Sequence, residues 1–207
     1  KQALTLESML GGRHLSSVEL SPNGNYYLLK LYDTDIKGKN NWKWQLKTRK
    51  DDNLLIESTS NFGIQKKKKS DLLFYTKKID GKNSLIILDP LTLQENILVK
   101  DIPEGDIDFL NNEQAFIINI KETSTEKKED VYRLLSPDDR ISDQWRQRSD
   151  LYIYHLGEQY LQRLTYSHHD VYLCDISKND DKALICVSYE TISERPFGHK
   201  VFYELDL

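Results

Sequence analysis

The chain has a single methionine, two cysteines and no apolar run long enough to cross a bilayer as a helix, which takes roughly 18 residues. Each shortage excludes something. Without an apolar span, a membrane-embedded chain is not expected. The one methionine is Met9, so Lys1 is not a translation start; either a signal peptide or a cloned extension preceded it. Cys174 and Cys186 are too few for a disulfide framework. They flank the last hairpin turn, where a cross-strand pair is conceivable and reduced core thiols are the simpler reading. Basic charge is also short: 29 Lys and Arg against 33 Asp and Glu give a net charge of −4. That is no electrostatic footprint for nucleic acid. His168-His169-Asp170 is the only histidine cluster. Adjacent side chains on an extended chain point to opposite faces, and no cysteine or acid pair completes a ligand set. The triplet reads as a solvated turn, and neither a metal nor a cofactor is expected.

What the sequence does have is tyrosine, 12 in all, and a degenerate repeat. A polar turn runs straight into a short apolar strand four times. Ser21-Pro22-Asn23-Gly24-Asn25 precedes Tyr26-Tyr27-Leu28-Leu29. Lys69-Ser70-Asp71 precedes Leu72-Leu73-Phe74-Tyr75, and Asn111-Asn112-Glu113 precedes Ala115-Phe116-Ile117-Ile118. Ser177-Lys178-Asn179-Asp180-Asp181 precedes Ala183-Leu184-Ile185-Cys186. Aligned on Gly24, Ser70, Asn112 and Asp180, the spacings are 46, 42 and 68 residues. A period near 40 to 50 with several strands per unit is the signature of β-propeller blades. The expected fold is therefore all-β: a partial propeller of about four antiparallel blades, the last incomplete. Residues 1–17 read as an N-terminal strap. The blades read as 18–60, 64–100, 105–167 and a truncated 171–207.

Local signals agree with this division. Trp42, Trp44 and Leu46 alternate at period two, which places both tryptophans on one strand face, most simply in the core. Asp80-Gly81 between apolar runs is a strong two-residue hairpin signal, because glycine accepts positive φ and aspartate tolerates it. The third unit is longer than its neighbours. Its excess, 121–148, is charged and lacks alternation, so it reads as an insertion on a loop face, where binding residues collect. Within it Arg140, Arg146 and Arg148 carry guanidinium forks suited to carboxylates, and Trp145 would anchor the loop. Pairing of those arginines with Asp138, Asp139 or Asp143, to order the loop, is the simpler reading. Lys66-Lys67-Lys68-Lys69 breaks the pattern, since the repeat asks for an apolar residue at Lys66. A solvated turn, an anion-binding patch and a surface alteration all remain open there. Ser21, which could be grouped with His14 and Asp33 as a triad on paper, reads better as a turn hydroxyl bonded to nearby backbone.

The Ser-Pro-Asn-Gly turn with Leu28-Leu29 resembles the turn-strand units of prolyl oligopeptidase superfamily and TolB-like propellers. Two further stretches look like the third-blade insertion of acylaminoacyl-peptidase-like members. One runs from Glu129-Asp130-Val131-Tyr132 through Arg140 and Arg146-Gln147-Arg148 to Asp150-Leu151-Tyr152-Ile153-Tyr154. The other is the close Gln162-Arg163-Leu164-Thr165. Leu4-Thr5-Leu6-Glu7 with Gly11-Gly12 is similar to the mature start of secreted members. The resemblance implies a propeller that admits short peptides to a separate α/β-hydrolase domain, in a periplasmic or secreted protein. The serine of that domain sits in G-x-S-x-G, a motif this sequence lacks, so no catalytic residue carries over. The paired glutamates of the dipeptidyl-peptidase branch are missing too. Peptide substrate is then the expected partner, met through the hydrolase domain, with Arg140, Trp145, Arg146 and Arg148 as gating-loop residues. A propeller scaffold without any hydrolase is the alternative. Unpaired blade edges would favour self-association.

Overall fold

The computed structural model describes residues 12–35, 38–59, 64–121, 148–167, 169–189 and 199–207. Every regular element among them is a strand. The chain divides into two compact units, 1–102 and 103–207.

The first unit holds two four-stranded antiparallel sheets. In the first sheet β1 (Arg13–Leu20), β2 (Tyr26–Thr34), β3 (Asn40–Thr48) and β4 (Leu54–Ser58) lie side by side in chain order. Strand β1 begins at Arg13, ahead of the Val18 expected from the pattern, and pairs along β2 from Arg13↔Asp33 to Leu20↔Tyr27. The second sheet is β5 (Gln65–Lys66), β6 (Leu73–Ile79), β7 (Lys82–Leu88) and β8 (Glu95–Val99). Its β6–β7 turn has the Asp-Gly chemistry expected, with φ of 52° at Asp80 and 79° at Gly81. One apolar cluster gathers Tyr26, Leu28, Trp44 and Leu46 of the first sheet with Leu73 and Leu88 of the second and Ile64, just ahead of β5. Trp42 packs against it from the side, so both tryptophans take the core role expected of them.

The second unit is a seven-stranded sheet. β9 (Gly105–Phe109), β10 (Ala115–Lys121), β11 (Ser149–His155) and β12 (Tyr160–Arg163) form one meander. β13 (Asp170–Ile176), β14 (Lys182–Ser188) and β15 (Lys200–Asp206) form the other. A single parallel bridge, Ser149↔Asp170, joins them. Their shared core includes Ile117, Leu151, Ile153, Val171, Ile185 and Val187.

The four turns of the repeat share one construction. In each, the amide of the first residue donates to a carbonyl five residues on: Ser21 to Tyr26 at 2.9 Å, Lys67 to Leu72 at 3.0 Å, Leu110 to Ala115 at 3.0 Å and Ser177 to Lys182 at 2.8 Å. This geometry corrects the sequence alignment by one residue, because Glu113 and not Asn112 matches Gly24 and Asp180. All three hold positive φ, at 71°, 61° and 62°. Ser21 has the turn role expected of it, its Oγ accepting the Tyr26 amide at 3.1 Å, and Ser177 Oγ accepts the Lys182 amide likewise.

Carboxylates tie the turns to each other. Asp71 accepts the Asn23 amide at 3.0 Å and the Asn25 side chain at 2.9 Å, clasping the two sheets of the first unit. Asp180 does the same in the second unit, accepting the amides of Asn111 and Asn112, each at 2.7 Å.

Lys66 is explained by a similar tie. Its Nζ donates to the Leu20 carbonyl at 2.9 Å and lies 3.9 Å from Glu19, spanning from β5 to the end of β1. Lys67 is buried, and only Lys68 and Lys69 have the exposure of a solvated turn.

Candidate functional site

Residues 122–147 fall outside the described residues, and with them Arg140, Trp145 and Arg146. Arg148 is described, exposed and immediately ahead of β11. What the structure details is the root from which the excursion leaves and to which it returns.

That root is built on two buried polar residues at the start of β11. Ser149 Oγ donates to the Val171 carbonyl at 2.9 Å and accepts the Val171 amide at 3.2 Å, replacing a ladder step between β11 and β13. Asp150 is 2% exposed. Its carboxylate accepts the Arg163 guanidinium, the Thr165 hydroxyl at 2.7 Å and the Ser167 amide at 3.1 Å. Three donors are what a buried carboxylate needs to offset its lost hydration. Thr165 Oγ1 in turn accepts the Leu151 amide at 2.9 Å, and Arg163 Nε donates to the Thr165 carbonyl at 2.8 Å. The Arg-Leu-Thr close is therefore the counterpart of Asp150, which gives the motif its physical reason. On its outer side the guanidinium lies 4.7 Å from the Tyr166 ring, a cation–π contact that leaves Tyr166 largely exposed.

Beside this root lies an aromatic group that the sequence did not announce. His169 and Tyr189 have ring centroids 4.7 Å apart, and His199 lies 6.2 Å from Tyr189 on its hairpin partner. The hydroxyls of Tyr189 and Tyr203 are 2.7 Å apart. That shared hydrogen bond raises the Tyr189 pKa. Asp170 accepts the Tyr172 hydroxyl at 3.2 Å, and burial raises its pKa above the usual carboxylate value. His169 thus packs on a ring where the sequence suggested only a solvated turn; His168 lies outside the described residues. Thirty residues separate the two histidines in sequence, so only the β14–β15 pairing brings them to one tyrosine.

The root and the aromatic group lie at one end of the second unit. β10 leads into the excursion there, and the β12–β13 and β14–β15 connections pass the same end. Chemically this end offers hydroxyl and imidazole groups, a cation at Arg148 and flat rings. Ser149 is spent on Val171, and Asp150 on Arg163 and Thr165. Among the described residues no group of three or more His, Cys, Asp or Glu could hold a metal ion. No described helix is long and apolar enough to cross a membrane. Elsewhere, the first unit has an open cleft of about 580 Å³ lined by Tyr26, Thr48, Lys50, Asp71, Asp89 and Leu91. Its carboxylates at Asp71 and Asp89 serve turns, on Asn23 and on the Leu91 amide.

Both cysteines are unpaired. Cys186 is buried as expected, whereas Cys174 sits at the bulge between Leu173 and Asp175 and is exposed, which removes it from the core. Burial, followed by the neighbouring Cys186 thiol, raises the Cys174 pKa.

No protein-family model and no curated protein matches the sequence. Solved structures do match. Uncomplexed acylaminoacyl peptidase from Pyrococcus horikoshii aligns with 94% of this chain at a TM-score of 0.62 and 9% identity. TolB from Acinetobacter baumannii aligns with 93% at 0.54 and 13%. The β-propeller domain of the Trilobed protease from Pyrococcus furiosus aligns with 94% at 0.52 and 10%.

The fold is a partial β-propeller.

Among the described residues its sheets are the blades: three of four strands and a last one of three. The chain spans 31% of the acylaminoacyl peptidase and 41% of TolB, so it corresponds to a minor part of each.

Proposed function

We propose that this chain is the non-catalytic propeller portion of a periplasmic or secreted serine peptidase, admitting and orienting short peptides for a hydrolase domain that lies beyond these residues. The observation that carries the reading is the root of the third-blade excursion. A fully satisfied carboxylate at Asp150 holds a rigid base, and Arg148, His169, Tyr189 and His199 lie at or next to the strand ends on the same side of the second unit. Rigid blades with recognition groups on one end supply positioning and size selection, while bond cleavage belongs to another domain. In this reading Arg140, Trp145, Arg146 and Arg148 line the gate, an arginine taking the peptide's carbonyl or terminal carboxylate. Likeness to the acylaminoacyl peptidase supports it. Likeness to TolB supports the alternative, a binding scaffold with no hydrolase attached.

Fluorophosphonate labelling of the full-length protein in its native source separates the two. A labelled species well above 24.3 kDa, captured by antibody to this chain, is the result expected of the peptidase. An unlabelled species selects the scaffold. In the labelled case Arg148→Ala should raise KM for short peptides several-fold with kcat nearly unchanged, as expected for lost uniform binding. Unchanged KM would remove Arg148 from the gate.

A further inference from the structure

We propose that the cleft of the first unit is a binding site for a guanidinium group, the head of an arginine side chain on a bound peptide. The cleft encloses about 580 Å³ and is formed where the turns of two consecutive blades meet. Asn25 comes from the β1–β2 turn, Thr48 and Lys50 from the end of β3 and the turn after it, Asp71 from the β5–β6 turn and Asp89 from the β7–β8 turn.

Tyr26 is the residue that points to a ligand. Its side chain is 6% exposed, and its ring packs in the cluster around Leu46 and Leu73. A buried tyrosine ordinarily gives its hydroxyl a hydrogen-bond partner. The Tyr26 hydroxyl has none among the described residues, and it is not sealed within protein, so it opens onto the cleft that the residue lines. Burial, and then the charges of Asp71 and Asp89, raise its pKa. Two carboxylates of the cleft wall therefore face the same hydroxyl.

The carboxylates say what charge the ligand carries. Asp71 spends its oxygens on the Asn23 amide and the Asn25 side chain, and Asp51 spends its own on Thr48 and Asn53, but both keep a negative charge at the cleft. Asp89 gives only Oδ1 to the Leu91 amide, at 2.8 Å, and its other oxygen has no partner among the described residues. Asp51, Asp71 and Asp89 outnumber the one lining cation, Lys50, so the cleft attracts positive charge. No described group of His, Cys, Asp or Glu could hold a metal ion there, so the cation is organic. Leu72, Pro90 and Leu91 add an apolar wall, Leu91 being 80% exposed. A guanidinium meets this combination: it is planar and weakly hydrated, lies on apolar surface, and its fork of donors reaches a hydroxyl and a carboxylate together. An ammonium is a compact, strongly hydrated point charge, which an open cleft with spread acceptors holds less well. The inference stands on the first unit alone and does not depend on the peptidase reading.

The test titrates blocked arginine, Nα-acetyl-arginine methylamide, into the 207-residue chain while backbone amide NMR shifts are followed. Expected is saturable binding with Kd of about 0.1 to 1 mM, and shifts at Asn25, Thr48 and Leu91. The blocked citrulline analogue, of the same shape without the charge, should bind at least roughly tenfold more weakly, and blocked lysine several-fold more weakly. Tyr26→Phe deletes only the hydroxyl and should weaken arginine binding roughly fivefold. Asp89→Asn keeps an acceptor for the Leu91 amide and should weaken it roughly tenfold. Lys50→Gln should tighten it roughly twofold, a gain that no misfolded variant would give. Asp106→Asn makes the same charge change in the second unit and should alter nothing. No shifts at the cleft up to about 10 mM arginine would overturn the site. Citrulline or lysine binding as well as arginine would overturn the guanidinium assignment. Affinity unchanged in both Tyr26→Phe and Asp89→Asn would reduce the effect to diffuse charge attraction and overturn the proposal too.

Discussion

Asp150 sets the stability of its neighbourhood more than any other charged side chain described, because it is buried and each of its contacts is a donor. Asp150→Ala leaves a guanidinium, a hydroxyl and an amide facing a void. Arg163 is partly exposed and can rehydrate, so the loss should be about 2 kcal/mol, below the range for a fully buried pair. Urea unfolding followed by amide exchange at the Leu151 core of the same unit should show the midpoint fall accordingly, with Asp150→Asn in between. Asp71 makes a different prediction. Burial opposes its ionisation, but the hydrogen bonds from Asn23 and Asn25 outweigh that penalty, and its pKa lies below the ordinary aspartate value. A depressed folded pKa contributes stability that is complete above the unfolded aspartate pKa, about 3.9, and is lost as pH falls through the folded value. The first-unit clasp should therefore hold at neutral pH and release only below about pH 4. Asp71→Asn should flatten that acid limb in a stability–pH profile; an unchanged limb would place the acid sensitivity elsewhere.

At the level of strands and turns, the sequence was legible where chemistry forces one conformation. Asp80-Gly81 had one good reading, and the alternation through Trp42, Trp44 and Leu46 pointed inward as its period required. It was less legible where several residues could fill one role. In the third turn Asn112 was the residue aligned with Gly24 and Asp180, yet Glu113 matches them and holds the positive φ, because the bond from the Leu110 amide to the Ala115 carbonyl fixes the count. Lys66 looked like a flaw in the repeat because its partner, the Leu20 carbonyl, is 46 residues away and has no side-chain signature. Gly105 offers a test at this scale. A Cβ there would lie 2.2 Å from the Asn119 carbonyl oxygen and 2.9 Å from Ile118, so β9 and β10 could not keep their spacing. Gly105→Ala should cost about 2 kcal/mol as an overpacked, backbone-limited site. Gly157 has open space around it, and Gly157→Ala should be neutral or stabilise by about 0.5 kcal/mol. Similar thermal shifts for the two variants would contradict the close approach at Gly105.

For the molecule as a whole, the repeat announced blades because each blade buries its own alternating face, and that periodicity is local. The aromatic group at His169, Tyr189, His199 and Tyr203 is not local: it exists only once β13, β14 and β15 are paired, so no short stretch of sequence contains it. The same distinction bears on how the molecule comes apart. The cluster around Leu46 and Leu73 and the clasp at Asp71 are complete within 1–102. The cluster around Leu151 and Val171 and the clasp at Asp180 are complete within 103–207. Every pairing among the described strands lies inside one unit or the other. Cutting between Ile102 and Pro103 therefore breaks no described ladder and leaves both of these clusters whole, and each piece should keep its sheets. Expressed separately, 1–102 and 103–207 should each show far-ultraviolet β-sheet signal and protected core amides at Leu46 and at Leu151. A cut inside a blade, between Leu88 and Glu95, should instead strip β8 from β7 and expose Leu85 and Ile86, which are at most 2% exposed in the whole chain. If the 102–103 division proved as damaging as the cut within the blade, the two cores would depend on each other and blade-level independence would fail.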